Sequence, residues 1–401
     1  MADCHVGGWS EPKLKELTIK SFAYAIDVCI KENVAFVLIA GDLFNTAIPS
    51  LDLIKDVAHD LSRLKERDIS VYVIPGSHDY SPSGTTMLDV FEKAGLLENV
   101  VKIKQESQDK LVLDFTHDKT NTKITGLYGK RNALDKEIYK ILDKKPLEDE
   151  KGFKIFMFHC AISQYKPQSF NAIHSQDVSD LPRDFNYYAG GHVHYVFNTK
   201  VNNGILAFPG PLFPNNFQEL QELKHGGFYI VNANLNSNEN PVIELKYVPI
   251  ELYKTQYINI DVNGLSSFDA NKKIMDSIES IDALDKIILL KVKGVIDSGK
   301  ISDIDFKKVE QSLSGAYVIL RNTSGLSKKD YEQIQVSAAT IEALEQNIID
   351  QKKQSIKSDL NIDDIILSIN LEKDESERNQ DFEQRLLNNI IKTLNLSDIW
   401  N

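Results

Sequence analysis

The sequence predicts an α/β protein: a two-sheet α/β sandwich, then a small α/β domain, then a helical tail. Apolar strand-like runs alternate with amphipathic helix-like runs over the first hundred residues, an order typical of a mostly parallel, helix-covered sheet. Short strand-like runs separated by glycine or asparagine continue to about Val248. After Tyr253 helix-like and strand-like runs alternate, and from Val336 the pattern is helical. The predicted domains are residues 1–250, 251–335 and 336–401.

Composition predicts a globular protein of the reducing cytoplasm. With 401 residues, 42% hydrophobic and 26% charged, the chain is longer than one ordinary domain and typical of soluble folds. We expect no membrane span, because no apolar run approaches about 20 residues, and no secretory signal is visible. Three scattered cysteines argue against a disulfide framework. The net charge of −12 argues against nonspecific coating of nucleic acid by the whole surface, but permits one local groove.

The chain begins with two polar residues of a kind that normally follows a strand. Asp3 and His5 would face the same way on an extended segment, yet only Met1 and Ala2 precede them. We therefore expect a further strand upstream of Met1. The next predicted elements are a helix over 13–32, a strand ending at Gly41-Asp42, a helix over 50–66, a strand over 71–74 and a short helix over 84–94.

Six short runs predict the second half of the sandwich. They are LVLDF, KITGLYG, KIFMFHC, YYAGGHVH, VFNTKV and GGFYIV. Residues 210–224 are punctuated by prolines and are interpreted as a connector. Beyond Tyr253, helix-like ANKKIMDSIESI and DIDFKKVEQSL alternate with strand-like KIILLKVKGV and AYVILRN, which predicts an αβαβ unit ending near Asn322.

Polar residues that can bind metal follow four of the predicted strands or stand at the chain start. The carboxyl ends of strands form the ligand-binding edge of an open α/β sheet. Histidines at alternate positions of an extended segment converge on one side, as metal ligands must. The candidate residues are Asp3, His5, Asp42, Ser77, His78, His159, His192 and His194.

Each motif alone has a simpler structural explanation. Gly41-Asp42 is a common turn sequence, His78 could donate to a carbonyl within a plain turn, and a lone His159 could be a core histidine. Two polar residues near a terminus usually have no role. The combined order at successive strand ends favours a metal site over these explanations.

This combined order resembles a known family. ADCH, AGDLF, PGSHDY, FHC and GGHVH match, over about residues 1–250, the motifs of the calcineurin-like metallophosphoesterases. ADCHVGGW, IAGDLFN and the α/β domain after Tyr253 are similar to the archaeal DNA double-strand-break repair nucleases of the meiotic-recombination-eleven/SbcD type. The resemblance implies a dimeric, Mn-dependent exo- and endonuclease that works with an SMC-like coiled-coil ATPase. It also implies that the small domain caps the DNA groove and that C-terminal helices dock onto the ATPase.

The metal chemistry requires a shared ligand. Two ions about 3.5–4 Å apart would activate a water and neutralise charge on a phosphodiester. A carboxylate is the simplest bridge, and Asp42 is the best candidate; mixed oxygen and imidazole ligands suit Mn²⁺. The further ligands that the resemblance implies are Asp3, His5 and His194 for one ion, and Ser77, His159 and His192 for the other. The resemblance also implies that His78 binds no metal, stabilises the transition state and protonates the leaving 3′ oxygen.

Two positions depart from the family pattern. Ser77 stands where the family has asparagine, so we expect it to hold the second ion weakly or through water. Asn45 stands where nuclease members often have a histidine; it can hydrogen-bond a phosphate of the substrate but cannot shuttle a proton. We favour the simpler interpretation that both differences are tolerated substitutions.

Three functions fit these residues. A DNA repair nuclease uses the motifs and the small domain together. A small-molecule phosphodiesterase or phosphatase would share every metal ligand but needs neither the small domain nor the tail. A non-catalytic scaffold that retains the fold is favoured only by Ser77.

The tail is predicted to bind a partner rather than DNA. Residues 336–401 contain 13 acidic and 7 basic residues, so phosphates would repel them. Such an amphipathic helix packs on its own domain or in a partner's groove, and the charged stretch EKDESERNQD before it favours a partner. The resemblance implies that this partner is the coiled-coil ATPase. The apolar helical face consists of Leu386, Leu387, Ile390, Ile391 and Leu394.

Overall fold

The computed structural model describes residues 1–80, 86–107, 109–129, 135–167, 174–234, 241–329, 368 and 379–394. Its contacts divide the chain into two units, Met1–Gln333 and Ile334–Asn401, and each is described by itself. No helix within these described ranges is long and apolar enough to span a membrane.

The first unit contains most of the described secondary structure. Its helices are α1 (Pro12–Lys31), α2 (Leu51–Lys65), α3 (Met87–Lys93), α4 (Asp135–Ile141), α5 (Lys145–Asp149), α6 (Phe217–Leu223), α7 (Ser267–Ile278) and α8 (Phe306–Ser312). Its strands are β1 (Phe36–Ala40), β2 (Ser70–Ile74), β3 (Glu98–Asn99), β4 (Lys102–Ser107), β5 (Lys110–Asp114), β6 (Thr116–His117), β7 (Lys123–Gly126), β8 (Lys154–His159), β9 (Ala161–Ile162), β10 (Ser175–Gln176), β11 (Tyr187–Gly191), β12 (Phe197–Val201), β13 (Gly204–Phe208), β14 (Gly226–Asn234), β15 (Val242–Ile250), β16 (Lys254–Asp261), β17 (Lys286–Ile296), β18 (Val318–Asn322) and β19 (Leu326–Lys328).

Two sheets form the predicted sandwich, so the fold class is confirmed. One sheet is parallel with the order β1-β2-β3. The other has the order β12-β13-β11-β8-β7-β6, parallel in its centre and antiparallel at both edges. Helices α1, α2 and α3 pack on the first sheet, and α4 and α5 pack on the outer face of the second. The apolar layer between the sheets includes Ala40, Ile74, Ile124, Ile155, Met157, Tyr187, Ala189 and Ala207.

The long helices agree with the sequence patterns. The predictions over 13–32 and 50–66 correspond to α1 and α2, and the described part of 84–94 contains α3. Thr86 and Asp89 form a capping box that begins α3, which satisfies backbone donors of its first turn. Cys4, Cys29 and Cys160 are all described, and each is a buried thiol.

The first residues of the chain lie beside the end of β1. The Met1 ammonium donates to the Leu38 carbonyl at 2.8 Å, and the Asp3 N–H donates to the Gly41 carbonyl at 3.1 Å. These bonds hold Asp3 next to the turn that follows β1. The strand expected upstream of Met1 stays a prediction.

The small domain forms a second parallel sheet. Its order is β16-β17-β18, and β19 pairs with the far end of β17. The αβαβ pattern predicted for this region lacked β16, because that strand alternates buried and exposed positions and has no continuous apolar run. The contacts place this domain in the same unit as the sandwich, so the predicted boundary at residue 250 stays a prediction. Its sheet meets α1 and α6 in a shared apolar cluster of Leu14, Leu17, Phe213, Leu220, Ile287, Leu289 and Val318.

The predicted connector over 210–224 contains a helix. Asn216 caps α6, because its Oδ1 accepts the Glu219 N–H at 2.9 Å. The interpretation as a plain connector is therefore wrong for Phe217–Leu223.

The second unit contributes one described helix, α9 (Asn379–Thr393). Of its predicted apolar face, Leu387 is 39% exposed, and Leu386, Ile390, Ile391 and Leu394 are partly buried. The predictions for 336–367, 369–378 and 395–401 fall outside the described residues.

Candidate metal centre

The ends of four strands meet at one edge of the sandwich. Strands β1 and β2 are parallel neighbours, so the residues that follow Ala40 and Ile74 emerge together. Strands β8 and β11 are also parallel neighbours, with His159 opposite Gly191. Because β1 contacts both β8 and β11, the two carboxyl edges form a single site.

The backbone turns sharply where the site residues enter. The φ angle is 50° at Asp3, 41° at His5, 55° at Asp42 and 84° at His192. Left-handed backbone costs an L-residue roughly 1–2 kcal/mol, and such strain is concentrated at functional sites. Four strained residues in one place therefore support a functional role for the site.

Asp42 lies at the middle of this site. Its Oδ1 accepts the backbone N–H of His78 at 2.7 Å. Its Oδ2 is 3.7 Å from His5 Nε2, 3.1 Å from His159 Nε2 and 3.4 Å from Ser77 Oγ. One carboxylate oxygen is therefore shared by three potential ligands, as a bridging carboxylate requires.

Three histidines have Nδ1 next to an acceptor of the chain. Carbonyl and carboxylate oxygens only accept, so Nδ1 keeps its proton in each ring, and Nε2 is the nitrogen that can bind a metal once the ring is neutral. The pairs are His78 with the Asn45 carbonyl at 2.9 Å, His159 with the Ala40 carbonyl at 2.8 Å, and His194 with the Glu219 carboxylate at 3.0 Å.

The remaining polar atoms fit a divalent cation. Ligand atoms of Asp3, His5 and His194 lie within 4.8 Å of one another, as do those of Asp3, Asp42 and His159. Within the described ranges, Asp3 Oδ2 and His159 Nε2 are buried without a hydrogen-bond partner, since His159 Nε2 is near Asp42 but not aligned with it. A buried polar atom left unpartnered costs about 1–3 kcal/mol, which ligation would offset. Carboxylate oxygens and imidazole nitrogens are also the donors that Mn²⁺ accepts.

The other predicted residues lie around this cluster. His192 donates its backbone N–H to Asp3 Oδ1 at 2.9 Å, and its ring centroid is 5.2 Å from that of His159. His78 has a ring nitrogen within 4.8 Å of His5 and Asp42, so its assignment as a non-ligand stays a prediction. The Asn45 side chain accepts a bond from Asn215 Nδ2 at 3.1 Å.

Burial and charge place Asp42, His5 and His192 in the forms that bind cations. Against its burial, the charge of Asp42 raises the pKa of His159 to about 9, so a cation there must displace a proton. Burial alone would raise the pKa of Asp42, but His159, His5 and His78 hold that pKa well below its usual range. Burial lowers the pKa of His5 and of His192 to about 4. An ionised carboxylate and neutral imidazoles are the forms that a metal ion requires.

Two carboxylates to which sequence reasoning gave no role support the centre. Asp79 accepts the backbone N–H groups of Gly76 at 2.8 Å and Asp42 at 2.9 Å, which ties together the turns after β1 and β2. Burial and then the charge of Asp42 raise the pKa of Asp79 to about 7. Glu219 holds His194, and its only local signal was its place three residues after the helix-capping Asn216.

This chain is similar to a known protein family and to several curated proteins. Residues 1–196 match the family model described as calcineurin-like phosphoesterase. Three curated relatives are named DNA double-strand break repair protein Mre11. The relative from Methanococcus maripaludis is 31% identical over 57% of this chain and 61% of its own length. Those from Archaeoglobus fulgidus and Methanocaldococcus jannaschii are 22% and 28% identical, over 77% and 67% of this chain. The matches span 61%, 71% and 70% of the three relatives.

Proposed function

Since residues 1–196 match the family model described as calcineurin-like phosphoesterase, we propose that this chain is a DNA nuclease that hydrolyses phosphodiesters with two Mn²⁺ ions. The observation that carries the proposal is Asp42 Oδ2, which lies within 3.7 Å of His5, His159 and Ser77. A carboxylate oxygen in that position can bridge two cations. When bound, such cations supply charge neutralisation at the phosphate and lower the pKa of a water.

The ligands divide into two sets that share Asp42. The first set is Asp3, His5, Asp42 and His194, and the second is Asp42, Ser77, His159 and His192. The first set already has its atoms close together, whereas the second includes the short side chain of Ser77. We therefore expect the second ion to be the more weakly held.

His78 is placed to move a proton. Its Nδ1–H bond to the Asn45 carbonyl fixes the ring, and its Nε2 is left to face a substrate. In its protonated form Nε2 can donate to the leaving 3′ oxygen, a general-acid role. The Asn45 amide beside it offers a neutral hydrogen-bonding group to a phosphate.

DNA is the proposed substrate, and an ATPase the proposed partner. Relatives named for DNA double-strand break repair support the substrate. The small domain beside the sandwich also favours a polymer, because a small phosphodiester needs no second domain. An SMC-like coiled-coil ATPase bound through α9 and a homodimer complete the proposal.

One assay separates this proposal from its alternatives. The full chain is incubated with Mn²⁺ and either linear duplex DNA or bis-nitrophenyl phosphate, with excess chelator as the control. Chelator-sensitive DNA cleavage supports the nuclease. Hydrolysis of the small ester alone would indicate a small-molecule phosphodiesterase, and no hydrolysis despite Mn²⁺ binding would indicate a scaffold.

A further inference from the structure

We propose that Glu219 is a positioning residue, which fixes the tautomer and the direction of His194 for cation binding. The inference rests on the metal-dependent function proposed above. The inference gives α6 a role in the metal centre, although this helix lies in the segment that was predicted to be a connector.

The contact between the two side chains determines which nitrogen is free. Glu219 Oε1 lies 3.0 Å from His194 Nδ1, and an ionised carboxylate can only accept. In the neutral ring that a cation requires, the proton is therefore on Nδ1 and the lone pair on Nε2. That Nε2 lies 3.1 Å from His5 Nε2 and 3.6 Å from Asp3 Oδ1, among the first set of ligands.

Glu219 is itself held in place. Its Oε2 accepts the Asn215 N–H at 2.7 Å, and its side chain is only 16% exposed. The next residue, Leu220, is fully buried in the apolar cluster shared with the small domain. A carboxylate fixed on a packed helix can orient a metal ligand, whereas an exposed one would lose that orientation.

A simple helix cap does not explain this geometry. Capping accounts for the bonds to Asn215 and Asn216, which lie at the start of α6. It does not account for the contact with His194, which lies 25 positions before Glu219 in the chain, just beyond the end of β11. Carboxylate partners of this kind also increase the basicity of a ligating histidine, and their loss typically costs 10–100-fold in metal affinity.

Glu219→Gln tests the inference, because it keeps the size of the side chain and removes the charge. Calorimetric Mn²⁺ titration should show 10–100-fold weaker binding at one of the two sites. Glu222→Gln is the matched control: it makes the same charge change on an exposed position of the same helix and should leave both affinities unchanged. Affinities of Glu219→Gln equal to those of the wild type would overturn the inference.

A second measurement needs no metal, and its first arm needs no variant. Against the effect of burial, Glu219 and Asp3 hold the pKa of His194 well above its usual range, so ¹⁵N NMR of the metal-free wild type is recorded above that pKa. There the neutral ring should carry its proton on Nδ1, and Glu219→Gln should shift this tautomer balance. A wild-type His194 protonated only at Nε2 would overturn the inference, even if the variant failed to fold. Failure of the proposed function is distinguishable, because a wild type that binds no Mn²⁺ would still report the tautomer.

Discussion

At the scale of single residues, Asp42 combines two tasks in one side chain. Oδ1 holds the His78 backbone, and Oδ2 faces the potential ligands. Its φ of 55° restricts which residues can replace it, because asparagine and aspartate tolerate left-handed backbone better than most residues do. A substitution of Asp42 should therefore remove metal binding without disturbing the fold only if the new side chain has the same shape as aspartate.

Asp42→Asn meets that condition. It keeps an oxygen for the His78 N–H but removes the charge, so Mn²⁺ binding and hydrolysis should both be lost while Tm stays near that of the wild type. Calorimetry, a nuclease assay and thermal melting measure the three quantities. Asp60→Asn is the control, since Asp60 is a buried carboxylate of α2 paired with Arg63, away from the site. Nuclease activity that persists in Asp42→Asn would end the two-metal proposal.

His78→Ala tests chemistry separately from binding. The variant should keep Mn²⁺ and DNA but lose at least about 10²-fold in rate, the usual scale for one general acid. Single-turnover cleavage measures the rate, and calorimetry measures the bound metal. Loss of the metal in place of the rate would show that His78, which lies close to His5 and Asp42, is a ligand.

Ser77→Asn tests the weaker half of the centre. Asparagine reaches further than serine and offers a carbonyl oxygen, so the apparent Mn²⁺ affinity of the second site should rise. A Mn²⁺ titration measures this affinity, and the larger change should appear at the second site, to which Ser77 is assigned through its contact with Asp42 Oδ2. Superimposable titration curves would mean that the site is already complete with serine.

Strand patterns were enough to predict that the candidate ligands lie close together, but not to predict the residues that support them. Each candidate ligand ends a strand, follows one or stands at the chain start, and its role as a ligand stays a prediction. Glu219 could not be found in this way, because its role depends on α6 packing against His194, which no local pattern encodes. Asp79 belongs to the PGSHDY motif, but its hydrogen bonds to the turns after β1 and β2 could not be predicted, because they depend on the folded backbone.

At the scale of elements, length decided what could be predicted. The 20 residues of α1 bury a stripe at helical spacing, which is visible in the sequence. Helix α6 has seven residues with one fully buried position, Leu220, so its periodicity is too brief to detect. Strand β16 was missed for a different reason, because its eight residues include exposed positions and no continuous apolar run.

The turn after β1 depends on glycine. Gly41 has a φ of 87°, and a Cβ atom there would overlap the His159 ring. Gly41→Ala should therefore lower Tm and weaken Mn²⁺ binding. Gly264→Ala is the matched control, because it has a φ of 73° but open space around its Cβ position. Both changes carry the backbone cost of roughly 1–2 kcal/mol, so the difference in Tm between them reports the collision. Equal Tm values and equal Mn²⁺ affinities for the two variants would show that the turn after β1 shifts enough to accommodate the alanine Cβ atom.

At the scale of the whole molecule, the two units should separate in function. Deleting residues 378–401 should leave Mn²⁺-dependent cleavage intact and abolish co-purification with the coiled-coil ATPase of the same genome. The physical reason is that α9 carries an apolar face on which Leu387 is 39% exposed. A pull-down and a nuclease assay on the same preparation measure both properties.

A matched pair of point variants refines this test. Leu387→Asp should abolish co-purification, whereas Gln384→Asp, an exposed position on the same helix, should retain it. Retained binding after the deletion, or a large fall in the Tm of the first unit, would assign α9 to the fold of its own chain.

Helix α6 has a consequence for energetics beyond the geometry of His194. Its Leu220 belongs to the apolar cluster of the small-domain strands, while its Glu219 holds a candidate ligand. A ligand that displaced the small domain would therefore also move α6, and with it the carboxylate that holds His194. Coupling free energies are reciprocal, so the factor by which such a ligand changes cation affinity is the factor by which the cation changes the affinity for that ligand. Any movement of the small domain that accompanies substrate binding would therefore change the affinity for metal, and metal binding would change the affinity for substrate by the same factor.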